Sequence, residues 1–196
     1  MRSVTILGAG LVGSVLAVLL RKKGYEVRIF ERRPDMRKEA LGAGRSINLA
    51  MSDRGWQALD LAGIRKDIEA IAIPMPGRFL HQEDGSSAFQ AYGKNGEAIY
   101  SVSRGELNKK LMDLAEASGV TIHFNQRCTR VDVATNQIHL QDQSGAEQTL
   151  QCDLLFGADG AFSSLRTAYS FTDRTNYEQF YIEHGYKELN IPAGAG

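Results

Sequence analysis

A glycine-spaced turn near the start of the chain, Gly8-Ala9-Gly10-Leu11-Val12-Gly13, places the strongest limit on its fold. The turn follows a β-branched run at 4–7 that predicts a buried strand, and it opens a helix predicted over 11–23. A second strand is predicted over 26–31, and it ends in an acid, Glu31. A strand, a helix and a second strand in this order predict a parallel sheet with a right-handed crossover.

Each glycine of this turn has a physical reason if a dinucleotide binds there. Gly8 permits the tight turn, Gly10 lets backbone N–H groups approach a pyrophosphate, and Gly13 lets the helix pack closely on the strand. The helix N-terminus adds free N–H donors and the positive end of a dipole. A carboxylate at Glu31 can accept hydrogen bonds from ribose hydroxyls and repels a 2′-phosphate, which predicts FAD or NAD as the bound nucleotide. A glycine-rich turn without a ligand is the alternative.

Two arginines follow this acid directly. Arg32 and Arg33 fit either a solvated charged loop or a contact between one of them and the adenosine or pyrophosphate of a bound dinucleotide.

Composition excludes some classes of function. Lysine plus arginine and aspartate plus glutamate both number 23 among 196 residues, so a basic nucleic-acid surface is not expected. The uncharged run 3–20 is interrupted by glycines and lacks a cleavage pattern, which argues against a signal peptide or membrane helix. Cys128 and Cys152 match no metal spacing and fit reduced thiols in a cytoplasmic protein.

The rest of the chain predicts further helices and short strands. The helix predicted over 54–62 has an apolar face of Trp56, Leu59 and Leu61, and the amphipathic helix over 106–118 is opened by Arg104. The predicted strands are 78–82, 87–92, 99–103, 120–124, 128–133, 137–140 and 150–156.

A second motif lies at 153–166, where the sequence reads D-x-x-x-G-A-D-G-x-x-S-x-x-R, with Asp159 fixing a glycine turn. This stretch resembles that of the single-component aromatic hydroxylases, flavoprotein monooxygenases that bind FAD and take electrons from NADPH. The resemblance implies that the stretch serves both nucleotides. It also implies that Arg104 contacts the flavin or its phosphates, since a cation at a helix N-terminus needs an anionic partner. The alternatives are an Asp-capped turn and an exposed arginine.

Four further stretches, 30–35, 44–50, 92–93 and 184–189, are similar to the kynurenine-hydroxylating members of that family. This resemblance implies hydroxylation of L-kynurenine to 3-hydroxykynurenine, with NADPH and O2 as co-substrates. It implies that Arg78 and Tyr92 hold the amino-acid end of the substrate, and a guanidinium can grip a carboxylate bidentately. Without the resemblance, an exposed arginine and a core tyrosine are the expected readings.

The same resemblance implies three more cofactor contacts and a mechanism. Val12 and Ala50 would touch FAD through their main chains, and Cys128 would lie beside the adenine. The flavin would carry the chemistry through a C4a-hydroperoxide, so no catalytic side chain and no metal is predicted, and the protein would orient the substrate and exclude water. The histidines are interpreted as structural: His81, His123, His139 and His184.

These motifs predict an α/β fold: a Rossmann-like FAD-binding fold with a parallel sheet, a β-meander crossover and the start of a mixed-sheet substrate domain. The expected divisions are an FAD-binding βαβ part at 1–72, inserted substrate-domain strands at 73–103, a second FAD-binding part at 104–172 and the start of the substrate-domain sheet at 173–196.

Members of the family carry a later Gly-Asp motif, and this chain has no Gly-Asp dipeptide. We therefore expect the chain to be part of a longer protein, to bind FAD weakly or not at all when alone, and to turn over no kynurenine. Unpaired strand edges would then favour oligomers. The competing interpretations are an NAD-dependent dehydrogenase, which leaves 153–166 without a role, and a nucleotide-binding module without catalysis.

Overall fold

A parallel sheet of four strands lies at the centre of the structure, a computed structural model that describes residues 2–38, 48–172 and 175–185. The strands along the chain are β1 Ser3–Leu7, β2 Glu26–Phe30, β3 Asn48–Met51, β4 Ile73–Met75, β5 Gly77–His81, β6 Ser87–Ala91, β7 Ile99–Ser103, β8 Thr121–His123, β9 Arg127–Asp132, β10 Gln137–Gln141, β11 Glu147–Gln151 and β12 Leu154–Gly157. The helices are α1 Leu11–Lys22, α2 Asp53–Ala62, α3 Arg65–Glu69, α4 Arg104–Ala117 and α5 Ser164–Ser170, and a short 3-10 helix spans Gly160–Phe162.

The central sheet has the strand order β12-β1-β2-β8, and all of its pairings are parallel. Val4 of β1 lies opposite Val27 of β2 on one side and Leu154 of β12 on the other. The predicted parallel sheet is confirmed. Its two central strands are joined by α1, and its outer strands come from distant parts of the chain.

The two faces of the sheet are covered by different layers. Val4, Ile6 and Ile29 pack into a cluster with α1, α2 and α4. Leu7 and Phe30 instead pack against the antiparallel meander β9-β10-β11. Because successive strand residues point to opposite faces, the apolar runs of β1 and β2 can fill both clusters.

The remaining strands form two smaller antiparallel sheets, β3-β7-β4 and the hairpin β5-β6. The first leads directly into α4, since β7 ends at Ser103 and α4 begins at Arg104. The hairpin is exposed on both faces, and Phe79 and Phe89 are 66% and 52% exposed.

The basic end of α1 ties the helical layer together. Arg21 Nε donates to the Ser118 carbonyl at the end of α4, 3.1 Å away, and Lys22 Nζ donates to the Leu61 carbonyl near the end of α2, also 3.1 Å away. Cations at helix C-termini complement the helix dipole. In the described part of the chain, no helix is both long and apolar enough to cross a membrane.

Two sequence predictions about the elements are wrong. The run 150–156 is not one strand: it breaks at Cys152-Asp153, and β11 pairs with the meander whereas β12 pairs with β1. The amide of Asn136 donates to both the Cys152 and Asp153 carbonyls at this break. Leu61 is not on the apolar face of α2, because it is 70% exposed. Residues 44–47 and 186–189 of the quoted stretches lie outside the described residues.

Candidate functional site

A cavity lies at the carboxyl end of the parallel strands, where ligands bind in open α/β sheets. Three of its lining residues follow or end separate strands: Gly8 after β1, Glu31 after β2 and Asp159 after β12. The complete lining is Leu7, Gly8, Phe30, Glu31, Arg32, Gln126, Arg127, Cys128, Asp159, Phe162 and Ser164.

The glycine turn and the Asp159 turn touch each other beside this cavity. Gly8 has a φ of +97°, and a Cβ there would lie 2.6 Å from the Ala158 carbonyl oxygen. The Ala158 N–H donates to the Leu7 carbonyl at 2.8 Å, which holds the two segments together. A Cβ at Gly13 would collide with the Gly8 carbonyl oxygen and lie 3.3 Å from the Ala158 Cβ. The two sequence motifs therefore share one cleft.

Gly10 differs from the other two glycines of the turn. It is the N-cap of α1, and a Cβ built on it would meet no atom within 4 Å. The helix N-terminus behind it supplies backbone donors that α-helices leave without an internal partner. An open space beside such donors fits a pyrophosphate.

The Glu31 carboxylate is fixed by backbone donors on both of its oxygens. Oε2 accepts from the Ala9 N–H and Oε1 from the Arg33 N–H, each at 2.9 Å. The Glu31 N–H in turn donates to the His123 carbonyl of β8 at 2.8 Å. A carboxylate oxygen has two lone pairs, so each oxygen can accept a further hydrogen bond from a ligand hydroxyl.

Asp159 presents one satisfied and one unsatisfied oxygen. Oδ2 accepts from the Ser164 N–H at 2.7 Å, which fixes the turn, as the sequence predicts for this residue. Oδ1 is buried and has no hydrogen-bond partner within the described residues. A buried acceptor without a partner is unfavourable, and a ligand donor would satisfy it.

Cys128 lines the same cavity, and Ser164 Oγ donates to its carbonyl at 2.8 Å. Burial, and then the nearby charge of Asp159, raise the pKa of its thiol to about 11. The thiol is therefore protonated at neutral pH. It contributes a small apolar surface to the cavity and does not act as a nucleophile.

The structure thus brings together five predicted cofactor residues: Gly8, Glu31, Arg32, Cys128 and Asp159. The other predicted residues of the turn, Gly10, Val12 and Gly13, lie at or in the first turn of α1, with the Val12 side chain 70% exposed. Of the two arginines after Glu31, Arg32 lines the cavity, whereas Arg33 is exposed and lies outside the lining.

Ala50 and Arg104 lie in a second place, outside the cavity lining. Ala50 of β3 is opposite Ser101 of β7. Two residues later, Ser103 ends β7 and caps α4, because its side chain accepts a hydrogen bond from the Glu106 N–H at 3.4 Å. Arg104 is the first residue of that helix and is exposed. Strand pairing therefore holds Ala50 close to the start of α4.

Arg78 and Tyr92 lie on one face of the hairpin β5-β6. Arg78 is opposite Gln90, and its Nε donates to Gln90 Oε1 at 2.7 Å. The Tyr92 N–H donates to the Pro76 carbonyl at 2.9 Å, which extends the same register by one pair. Residues two apart on a strand share a face, so Tyr92 is a diagonal neighbour of Arg78. Both are exposed, and neither lines the cavity.

The sequence analysis missed six lining residues: Leu7, Phe30, Gln126, Arg127, Phe162 and Ser164. Leu7 and Phe30 are the last residues of β1 and β2. Phe162 and Ser164 lie within the 153–166 motif, which could have indicated them. Gln126 and Arg127 carry no local signal, since the β8–β9 connection brings them to the cavity. Within the described ranges, no group of three or more His, Cys, Asp or Glu side chains could hold a metal ion.

Comparison with known proteins decides the family. The family described as "FAD binding domain" matches residues 1–187. The chain belongs to this FAD-binding family. Its glycine turn, its Glu31 and its Asp159 turn all lie within the matched range.

Several curated relatives carry the same name. The chain is 49% identical over 193 residues to kynurenine 3-monooxygenase of Christiangramia forsetii, covering 98% of this chain and 43% of that protein. It is 44% identical over 197 residues to the Myxococcus xanthus protein and 42% identical over 195 residues to the Dictyostelium discoideum protein, both also named kynurenine 3-monooxygenase. The chain spans 42% and 41% of the length of these last two.

Solved structures support the fold. A tetrameric form of 2-methyl-3-hydroxypyridine-5-carboxylic acid oxygenase matches with a TM-score of 0.68 and 26% identity, over 88% of this chain and 43% of that chain. The p-nitrophenol 4-monooxygenase PnpA from Pseudomonas putida matches with a TM-score of 0.70 and 19% identity, over 88% and 45%. The predicted α/β FAD-binding fold is confirmed.

Proposed function

We propose that this chain binds FAD across the cavity between the glycine turn and the Asp159 turn, and that it serves the NADPH-dependent hydroxylation of L-kynurenine to 3-hydroxykynurenine. The observation that carries the proposal is the contact of these two turns at one cavity, with Gly8 against Ala158. The relatives named kynurenine 3-monooxygenase, at 40–49% identity over nearly the whole chain, support the substrate.

The adenosine and pyrophosphate part of FAD fits the residues around α1. Glu31 would accept from the ribose hydroxyls, since its carboxylate is already aimed by Ala9 and Arg33. The backbone at Gly10 and Val12 would hold the pyrophosphate at the helix N-terminus. Arg32 is the better placed of the two arginines to neutralise a phosphate charge, because it lines the cavity.

Four other predicted residues complete this assignment. Cys128 would lie beside the adenine as part of the cavity wall, and the unsatisfied Asp159 Oδ1 would accept a hydrogen bond from a cofactor hydroxyl. Ala50 and Arg104 would contact the flavin end, since FAD is long enough for its two halves to meet different parts of the protein. When bound, FAD supplies the redox and oxygen-activating chemistry, and the route of oxygen transfer stays a prediction.

Arg78 and Tyr92 would hold the amino-acid end of kynurenine. Their shared face on the hairpin places a guanidinium and a phenol hydroxyl side by side, which suits a substrate carboxylate. The hairpin and the strands around it, 73–103, would then belong to a substrate domain, as the sequence predicts. The cytoplasmic location rests on the cysteine content alone and stays a prediction.

Calorimetric titration of the chain with FAD tests the first part of the proposal. We expect weak but saturable binding. The affinity should fall further in an Asp159→Asn variant, because one of the two carboxylate acceptors becomes an NH2 donor, and in a Glu31→Gln variant for the same reason. An Asp153→Asn variant is the matched control, because Asp153 contacts Ser3 at the far end of β12 and lies outside the cavity. Equal weakening by all three variants would contradict the proposed site.

Activity needs a separate test, because the chain spans only 43% of the relative's length. In a chimera, this chain replaces the 193 matched residues of the Christiangramia forsetii enzyme. We expect kynurenine-dependent NADPH oxidation with formation of 3-hydroxykynurenine, and a higher KM for kynurenine in the Arg78→Met chimera. A folded, FAD-loaded chimera that binds no kynurenine would contradict the substrate assignment.

A further inference from the structure

We infer that Arg37 is a positioning residue for the nucleotide site: it holds the segment 31–38 against α4 so that Glu31 and Arg32 face the cavity. This inference rests on the proposed binding of FAD. Arg37 is outside the cavity lining, and no motif of the sequence analysis includes it.

Arg37 makes four polar contacts at once. Its Nε and Nη2 donate to the two oxygens of Asp35, each at 2.8 Å, in a bidentate pair. Its Nη1 donates to Asp113 at 2.9 Å and to Glu116 at 2.6 Å, both on α4. The planar guanidinium can present several donors in fixed directions, which a lysine cannot do.

The Asp35–Arg37 pair is largely buried, whereas its partners on α4, Asp113 and Glu116, are 58% and 40% exposed. The Asp35 side chain is 8% exposed and the Arg37 side chain 18% exposed. Hydrogen bonds from Arg37 lower the pKa of the Asp35 carboxyl, so both groups are charged at neutral pH. Without Arg37, the carboxylate of Asp35 would be left buried and uncompensated, which is strongly unfavourable.

Both ends of the segment are attached to the same strand end. The Arg37 guanidinium lies 5.5 Å from the centre of the Phe124 ring, directly after β8. The next two residues bond to the start of the segment: the Asn125 N–H donates to the Arg33 carbonyl and the Gln126 N–H to the Glu31 carbonyl. The cavity-facing residues are thus carried by a loop attached at both ends, and its far end is attached to α4 by Arg37 and by the contact of Met36 Sδ with the Asn108 amide.

The test measures how the folded chain discriminates ADP from 2′-deoxy-ADP, by calorimetry. In the wild-type chain we expect ADP to bind at least about 10-fold more tightly than 2′-deoxy-ADP. The deoxy ligand lacks the 2′-hydroxyl and therefore loses a hydrogen bond to the charged Glu31 carboxylate. In Arg37→Met, we expect this ratio to fall to within about 3-fold, because the segment is released from α4 and Arg33, whose N–H fixes Glu31 Oε1, can shift. A purely structural role would weaken both ligands alike and leave the ratio unchanged.

Arg65→Met is the matched control. Arg65 also bonds two carboxylates, Asp60 and Glu69, at 2.7 Å each, and lies 4.8 Å from the centre of the Trp56 ring, but it is on the surface between α2 and α3. We expect the ratio of ADP to 2′-deoxy-ADP affinity in Arg65→Met to stay at the wild-type value.

The double variant Asp35→Asn/Arg37→Met keeps the test decisive if the single variant does not fold, because it leaves no uncompensated buried carboxylate. A folded double variant that retains the wild-type ratio would overturn the inference. If the wild-type chain itself shows no preference for ADP, the proposed contact of Glu31 with the ribose fails instead, so the two failures are distinguishable.

Discussion

The close packing of the glycine turn gives a sharp prediction about Gly13. A Gly13→Ala substitution places a methyl group into the Gly8 carbonyl oxygen and within 3.3 Å of the Ala158 Cβ. Neither the Gly8 carbonyl nor the Ala158 methyl group can move easily, because the Ala158 N–H is hydrogen-bonded to the Leu7 carbonyl and joins the two segments. The helix must therefore move away from the sheet.

The magnitude follows from a comparison with Gly105. Both glycines lie in the first turn of a helix, Gly13 in α1 and Gly105 in α4, but a Cβ at Gly105 meets nothing closer than Ser103 Oγ at 3.8 Å. Alanine is favoured over glycine in a helix by up to about 1 kcal/mol, so Gly105→Ala should raise the free energy of unfolding by about 0.5–1 kcal/mol. Overpacking costs about 1–3 kcal/mol, so Gly13→Ala should lower it by about 1–2 kcal/mol.

Urea unfolding of the two variants, followed by circular dichroism, measures this difference. The predicted gap between them is roughly 2 kcal/mol. If Gly13→Ala were as stable as Gly105→Ala, the contact between α1 and the end of β1 would be looser than described, and the argument for a closely fitted nucleotide turn would fail.

Two further predictions concern single ionisable groups. Because Arg37 lowers the pKa of Asp35, the stabilisation from this pair is present above the unfolded pKa of about 3.9 and is lost as pH falls through the folded value. The urea concentration at the unfolding midpoint should therefore fall less between pH 6 and pH 3 in Arg37→Met than in the wild type. An equal fall in both proteins would contradict a stabilising Asp35–Arg37 ion pair. Because the pKa of Cys128 is about 11, roughly one thiol in a thousand is ionised at pH 8, so iodoacetamide should modify it about 100-fold more slowly than a free cysteine. Bound FAD should slow this further, and rapid alkylation of Cys128 would contradict its burial.

Local sequence signals were sufficient for the first part of the fold. The β-branched run, the glycine spacing and Glu31 predicted β1, α1 and β2 nearly to the residue, because strand and helix periodicities and glycine conformations are local properties. The motif at 153–166 also indicated the Asp159 turn, and the structure brings it to the glycine turn.

Other features depend on contacts that no local pattern records. The break at Cys152-Asp153 follows from Asn136, 16 residues earlier, whose amide takes up the two carbonyls. The run 150–156 has no proline or glycine to mark the change of sheet, and Asp153 is its one residue of a type that is depleted in strands. Helix α3 and strand β4 are too short to show a period, and they were not predicted.

The same reason explains which site residues were missed. Gln126 and Arg127 reach the cavity through the β8–β9 connection, and Arg37 acts through carboxylates on α4 that lie 76 and 79 residues away. Charge patterns within a short window cannot identify such partners.

In the proposed function, the glycine turn and the Asp159 turn close on one FAD molecule. Amide hydrogen exchange of the chain, with and without saturating FAD, measures whether both turns contact the cofactor. We expect slower exchange at 8–13 and at 158–164 together when FAD is bound, and a smaller effect at 8–13 in Asp159→Asn. Protection of one segment without the other, in a chain that calorimetry shows to be FAD-bound, would contradict it.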